Sequence, residues 1–259
     1  MKLGGFGLLE DYQKISAAGY DFAELDVAEI EALSEKDFET LKRSVEKCRF
    51  PILTGARLLP FAEPLFFTEG FSPETLVPYL EKACSRAGIL GIKKVIIGNG
   101  KARSLLKPED RERESVFIES LRLMAKIAGE NGMELILEPL GPKYSNYIQT
   151  IPEAVALIQK VNMPNLFVMA DIRHMYWSNE SFEDLVEYVS YIHHVHIDYP
   201  VSYPERGYPS IEDDYDYSEF LHALKRSGYQ DTLTVEADIP KDWNAAYKQV
   251  MRVLGNILL

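Results

Sequence analysis

Eight short apolar runs alternate along this chain with segments of helical spacing, and that alternation restricts the fold more than any other feature. The runs fall at Lys2–Gly7, Tyr20–Leu25, Ile52–Ala56, Lys94–Gly98, Leu135–Glu138, Phe167–Asp171, His194–Ile197 and Leu233–Glu236. A strand-to-helix-to-strand repeat makes neighbouring strands parallel, because the helix carries the chain back to the starting edge. Eight such units in about 250 residues close into a (β/α)₈ TIM barrel of the α/β class. No linker, composition shift or charge block marks a second unit, so one domain over residues 1–259 is expected. A doubly wound open sheet would gather its polar residues at one switch point, whereas acids here recur at the ends of the second, fifth, sixth and eighth runs.

Helix boundaries are written in the side chains. Ser34–Asp37, Thr150–Glu153 and Ser181–Asp184 have the order of a capping box, and Ser72-Pro73-Glu74 joins a cap, a first-turn proline and an acid. Gly19 and Gly228 stand where helices stop. Further helices are expected over Pro108–Asn131, Asp216–Gly228 and Trp243–Leu258. The loop from Leu58 to Gly70, rich in proline and phenylalanine, either covers a pocket or packs over the barrel rim. With 40 acidic against 28 basic residues, the charge of −12 repels a polyanion, which argues against nucleic acid. No stretch is long enough for a membrane span and the N-terminus lacks the order of a signal peptide, so a cytoplasmic location is expected. Cys48 and Cys84 lack metal-type spacing and read as reduced packing residues.

The chemistry lies where the runs end. In a barrel the carboxyl ends of all strands meet on one face, which brings Glu138, Asp171, His196 and Glu236 together across long sequence separations. Three carboxylates in a covered site need a cation. Oxygen ligands with one imidazole suit Mn²⁺ ahead of Mg²⁺, Co²⁺ or Zn²⁺, and one such divalent ion is expected. Period two turns His194, His196 and Asp198 the same way, with His196 as the ligand and His194 a layer below. His174, three residues past Asp171, is placed to touch a substrate. Glu24 either faces the same end or binds a loop amide. Trp177, Tyr199 and the phenylalanines after the third run offer apolar faces to a sugar. Lys101, Arg103, Lys143 and Arg206 are either anion contacts or solvated rim charges, and the loop Gly98–Arg103 has amides that suit an anion. His193 and His222 receive no role.

Leu-Glu138-Pro with Asn146 and Thr150 following, Asp171-Ile-Arg-His174, Val195-His196-Ile, and Asp216-Tyr217 through Gly228-Tyr229 to Val235-Glu236 together resemble the xylose isomerase-like barrels. That group holds sugar isomerases, ketose 3-epimerases, inosose and dehydroshikimate dehydratases, and apurinic endonucleases. The resemblance covers essentially the whole chain. It implies that Glu138, Asp171, His196 and Glu236 hold one divalent metal. It also implies that His174, a downstream arginine and Asn146 contact substrate. The nearest arginine after His196 is Arg206, ten positions on. The implied activity is a metal-dependent sugar isomerase or epimerase that works through an enediolate, with Glu138 and Glu236 moving the proton. Alternatives are a dehydratase of a cyclitol or dehydroshikimate-like substrate on the same metal site, and a non-enzymatic sugar-binding barrel. The nuclease reading needs more histidines than the early strands supply. A carbohydrate or cyclitol partner is expected, with no nucleic acid or membrane, and fold analogy alone points to a homodimer.

Overall fold

All eight expected strands form in a computed structural model that describes residues 1–255: β1 (Lys2–Gly7), β2 (Phe22–Asp26), β3 (Ile52–Ala56), β4 (Lys94–Ile97), β5 (Glu134–Leu137), β6 (Leu166–Asp171), β7 (Ile192–Ile197) and β8 (Thr232–Val235). Each pairs in parallel with the next and β8 returns to β1, closing the barrel. Around it lie α1 (Tyr12–Ala18), α2 (Val27–Ala32), α3 (Glu35–Cys48), α4 (Val77–Ile89), α5 (Glu114–Glu130), α6 (Ile151–Val161), α7 (Ile172–Trp177), α8 (Asp184–Glu187), α9 (Ser218–Arg226) and α10 (Trp243–Leu254). The last helix was expected to reach Leu258, and residues 256–258 lie outside the described part.

The caps explain where agreement holds and where it fails. Ser34 and Thr150 accept hydrogen bonds from the amides of Asp37 and Glu153, and Gly19 ends α1 at a φ of 111°. Ser181 instead accepts from Glu183, so the third expected helix shrinks to the single turn α8 followed by a 3₁₀ turn at Val189–Tyr191. Two helices were not anticipated. Both α2 and α7 start directly on the last residue of a strand, where Asp26 or Asp171 caps the first turn. The phenylalanines after β3 are packing residues: Phe66 and Phe67 are buried against Phe117 and Tyr147. Cys84 is buried and Cys48 is exposed, both free, so only Cys84 has the expected packing role.

The barrel interior is divided. On β4 to β6, Ile96, Ile136 and Met169 make an apolar cluster with Phe167 against it. On β2, β3, β7 and β8 the inward positions are Glu24, Thr54, His194, Thr232 and Thr234, all buried. An apolar half gives dispersion contacts, while the polar half must satisfy every group internally.

Glu180, after α7, accepts from the amide of Ile151 at the start of α6 at 2.6 Å, and its second oxygen is buried without a partner. Burial pushes this carboxyl up to about 8, against the opposing bond from Ile151 and with help from Asp184. An unfolded glutamate loses its proton near pH 4.3, so across the window from roughly there to about 8 the folded state binds the extra proton. Stability from this group is therefore lost as pH rises through that window. Glu180→Gln keeps an acceptor for Ile151 and is expected to flatten this slope, leaving the variant the more stable above pH 8. Urea titrations between pH 4 and 9 check this, and parallel pH profiles for the two proteins would contradict it.

Candidate metal centre

Asp171 closes β6, and its two oxygens divide the work. Oδ1 accepts from the amides of Arg173 at 2.7 Å and His174 at 3.4 Å, capping α7, while Oδ2 faces the barrel mouth. Register sets His196 opposite Asp171 on the neighbouring strand. Glu138 and Glu236 each lie one residue past their strands, yet their amides still donate to Ile97 and Ile197 at 3.2 Å. Both backbones thus continue the hydrogen bonding of the ladder by one residue. Gly98 leaves space for Glu138, since a Cβ there would stand 2.1 Å from Oε2.

Glu138, Asp171, His196 and Glu236 each offer one ligand atom, and these atoms lie within 4.8 Å of one another. The donor set fits a divalent cation on a further ground. His196 Nδ1 is buried without a hydrogen-bond partner and lies 3.0 Å from Glu236 Oε2, the oxygen that Arg206 also approaches. A ring nitrogen facing a carboxylate at that distance needs either a proton or a metal cation between them. Burial pushes the His196 imidazole down, but Glu24 and Glu236 outweigh it and hold it well above its ordinary range. A metal ion at Nδ1 would take the place of that proton.

Glu24 is the residue that the sequence left undecided. It is fully buried beneath the ligands, and its Oε1 and Oε2 lie 2.9 Å from Nε2 of His196 and of His194 respectively. Thr54 and Thr234 donate to Oε2 at 2.7 and 3.0 Å. Burial alone would raise this carboxyl. His196 and His194 overcome that and hold it well below the usual range. An ionised carboxylate only accepts, so both histidines carry their protons on Nε2, and His196 presents Nδ1 to the cluster. The reading of Glu24 as a loop-amide acceptor is therefore replaced. His194 sits below, as expected, with Thr232 2.8 Å from its Nδ1.

Arg206 reaches the cluster despite its spacing from His196. The intervening loop folds back on itself, with the Tyr199 amide donating to Gly207 at 2.8 Å. Arg206 then donates to Asp171 at 2.9 Å and Asp198 at 3.0 Å, and its Nη1 lies 2.5 Å from Glu236. Burial works to raise the Glu236 carboxyl, but Arg206 and His196 keep it below its ordinary value. The loop is fastened by Arg173, a fully buried side chain to which sequence reasoning gave no role. It pairs with Asp198 and donates to the carbonyls of Tyr199, Ser202 and Glu205.

Above the ligands opens a cavity of about 380 Å³, walled in part by Tyr144, His174, Tyr203 and Arg206. His174 points Nε2 at Glu138, 3.5 Å away, and its ring meets Tyr144 edge-on. Several expected contacts stand elsewhere. Asn146 is exposed and pairs through its amide with both backbone groups of Leu105, tying two loops outside the cavity. Trp177 is absent from the lining and instead carries the Lys143 ammonium on its ring, 3.1 Å from the centroid. Tyr199 is likewise absent, its backbone closing the loop. Arg103 is no rim charge: it is fully buried, and burial pushes it down to about 10. It donates to the carbonyls of Glu138 and Ile148. Lys101 and Lys143 do line the cavity.

A family profile described as xylose isomerase-like TIM barrel matches residues 12–257. A mouse protein that carries the provisional name of a hydroxypyruvate isomerase is 27% identical over 160 residues, 58% of this chain and 56% of that protein. An L-ribulose 3-epimerase from Methylomonas sp. (strain DH-1) is 25% identical over 134 residues, 50% of this chain and 44% of the other. The chain thus spans about half the length of these curated relatives. Among solved structures, the IOLI protein with a bound zinc atom superposes with a TM-score of 0.78 at 19% identity, covering 100% of this chain and 99% of that one.

Since Glu24 sets which nitrogen His196 turns to the cluster, Glu24→Gln is expected to weaken divalent-metal binding about 10- to 100-fold. Chelator competition with Mn²⁺ on protein shown folded by circular dichroism measures it. Unchanged affinity would mean that strand register alone orients the imidazole.

Proposed function

Because this chain belongs to the xylose isomerase-like TIM-barrel family, we propose that it isomerises or epimerises a small ketose or related keto compound at this centre, with one divalent metal ion bound by Glu138, Asp171, His196 and Glu236. The observation that carries the reading is the pairing of a four-residue ligand set with a cavity directly above it. The names of the sequence relatives, an isomerase and an epimerase of small sugars or keto acids, support the same class. When bound, a divalent ion polarises a carbonyl and shares the negative charge left by proton removal.

The side chains supply the rest. Glu138 and Glu236 come from strands three places apart around the barrel, so they approach a bound substrate from different sides. One takes the proton from the carbon beside the carbonyl and the other delivers it. Arg206 keeps Glu236 ionised, as a base must be. His174, 3.5 Å from Glu138, holds a substrate oxygen in this reading. Tyr144 and Tyr203, whose rings meet edge-on, line the same cavity and offer apolar surface to the substrate.

A stoichiometry of about one divalent ion per chain is expected from the four-residue ring, because the other group of possible ligands, Glu24 with His194 and His196, shares His196 with it and is already joined by hydrogen bonds, with affinity lowered by Asp171→Asn or His196→Ala. Elemental analysis of purified protein checks it, and two or three tightly bound zinc ions would point to phosphodiester chemistry instead. For the reaction, ketoses incubated with Mn²⁺-loaded protein in D₂O are expected to exchange the proton beside the carbonyl. Changing Glu138 or Glu236 to Gln should slow turnover about 10²–10⁴-fold. One variant is expected to retain exchange without product and the other to lose both, as followed by proton NMR. Turnover that survives glutamine at both positions would remove these residues from the chemistry, and net loss of water from an inosose would move the protein to the dehydratase class.

A further inference from the structure

The charge of the cavity runs against that of the protein. The chain carries 40 acidic and 28 basic residues. Among the residues that line the cavity the cations are Arg57, Lys101, Lys143 and Arg206, and the acids are only Glu138 and Glu236, both in the ligand set. Arg206 and Arg57 are already paired, the first with three carboxylates and the second with Asp26. The two lysines are not. Lys101 is exposed after β4 and its side chain meets no acid among the described residues. Lys143, after β5, lies 3.1 Å from the centroid of the Trp177 ring and 4.1 Å from that of Tyr203. Aromatic faces attract an ammonium without neutralising it, so this seat fixes the position of the charge and leaves it available.

An unpaired cation held over a cavity, in a protein whose net charge repels anions, needs a reason. The opposite arrangement, acids around the mouth, would be the default on a surface of this composition. We propose that the substrate carries an anionic group, a carboxylate or a phosphate, and that Lys101 and Lys143 in the cavity wall receive it. This rests on the reading of the cavity as the substrate site and narrows the substrate class to acidic keto compounds. Lys143 would accept the anion on the side of its ammonium that faces away from the rings. Lys101 would contribute a second, more mobile charge. Three loops, after β4, β5 and β7, thereby take part in recognition, because Tyr203 of the last one helps to seat Lys143.

The test is a binding measurement that does not depend on turnover. Calorimetry on the Mn²⁺-loaded full chain compares D-xylulose with D-xylulose 5-phosphate, and dihydroxyacetone with hydroxypyruvate. At least one charged member is expected to bind about 10- to 100-fold more tightly than its neutral counterpart, with the advantage falling as salt is raised. Whichever pair shows the preference distinguishes phosphate from carboxylate. In Lys101→Met and Lys143→Met that ratio should fall toward one, and Lys143→Arg should restore part of it. Equal affinities within both pairs, no binding of either charged compound, or a ratio untouched by both methionine variants would overturn the proposal. Proton exchange in D₂O is read separately, so a charge preference without exchange would sink the isomerase reading and leave the anion site standing.

Discussion

An ionised carboxylate buried inside a barrel has to be fully compensated, and Glu24 shows how that requirement shapes the candidate metal centre above it. Four donors meet its two oxygens, two of them imidazoles one strand layer apart. Removing such a group to the interior costs several kcal/mol unless each lone pair is satisfied. The compensation fixes the tautomer of His196 and so decides which atom the ligand ring receives. The same network continues downward through His194 and Thr232 to Lys94, whose ammonium lies 2.5 Å from Asp231 at the far end of the barrel. The polar half of the interior is therefore one connected structure, and the apolar cluster on β4 to β6 gives it a rigid wall.

A second layer of organisation lies in the loop after β7. Arg173 and Arg206 share Asp198, so one buried acid joins a helix that starts at a ligand to a loop that returns to the ligands. Asp171 belongs to both arrangements, capping α7 with one oxygen and meeting Arg206 with the other. Positive charge at this position balances three carboxylates that would otherwise repel one another.

Much of this was legible in the residues. Eight apolar runs with acids or a histidine at four of their ends were enough to place Glu138, Asp171, His196 and Glu236 in one ring, because barrel topology converts strand-end position into spatial position. The helices that followed β2 and β6 were missed since their caps, Asp26 and Asp171, are also the last strand residues, and a cap with no preceding loop leaves no separate signal. Glu24 was ambiguous because an acid at a strand end looks alike whether it faces a metal, a loop amide or two histidines. Asn146 and Trp177 stand outside the cavity lining for other reasons: Asn146 is on a loop, where side-chain directions follow no period, and Trp177 is the last residue of α7, a helix without a separate start signal. Arg173 carried a usable signal. An arginine two residues past a strand-end ligand, followed by an acid at Asp198 in phase with two histidines, implies a buried pair.

In the proposed centre one imidazole, His196 through Nδ1, joins three carboxylates around a single divalent ion while His174 and His194 stay outside the coordination sphere. Electron spin echo envelope modulation of Mn²⁺-loaded protein, prepared with ordinary and with isotopically labelled histidine, counts the coordinated nitrogens directly. One strongly coupled histidine nitrogen, lost in His196→Ala and retained in His174→Ala, is the predicted result. Two coordinated imidazoles, or none, would contradict it.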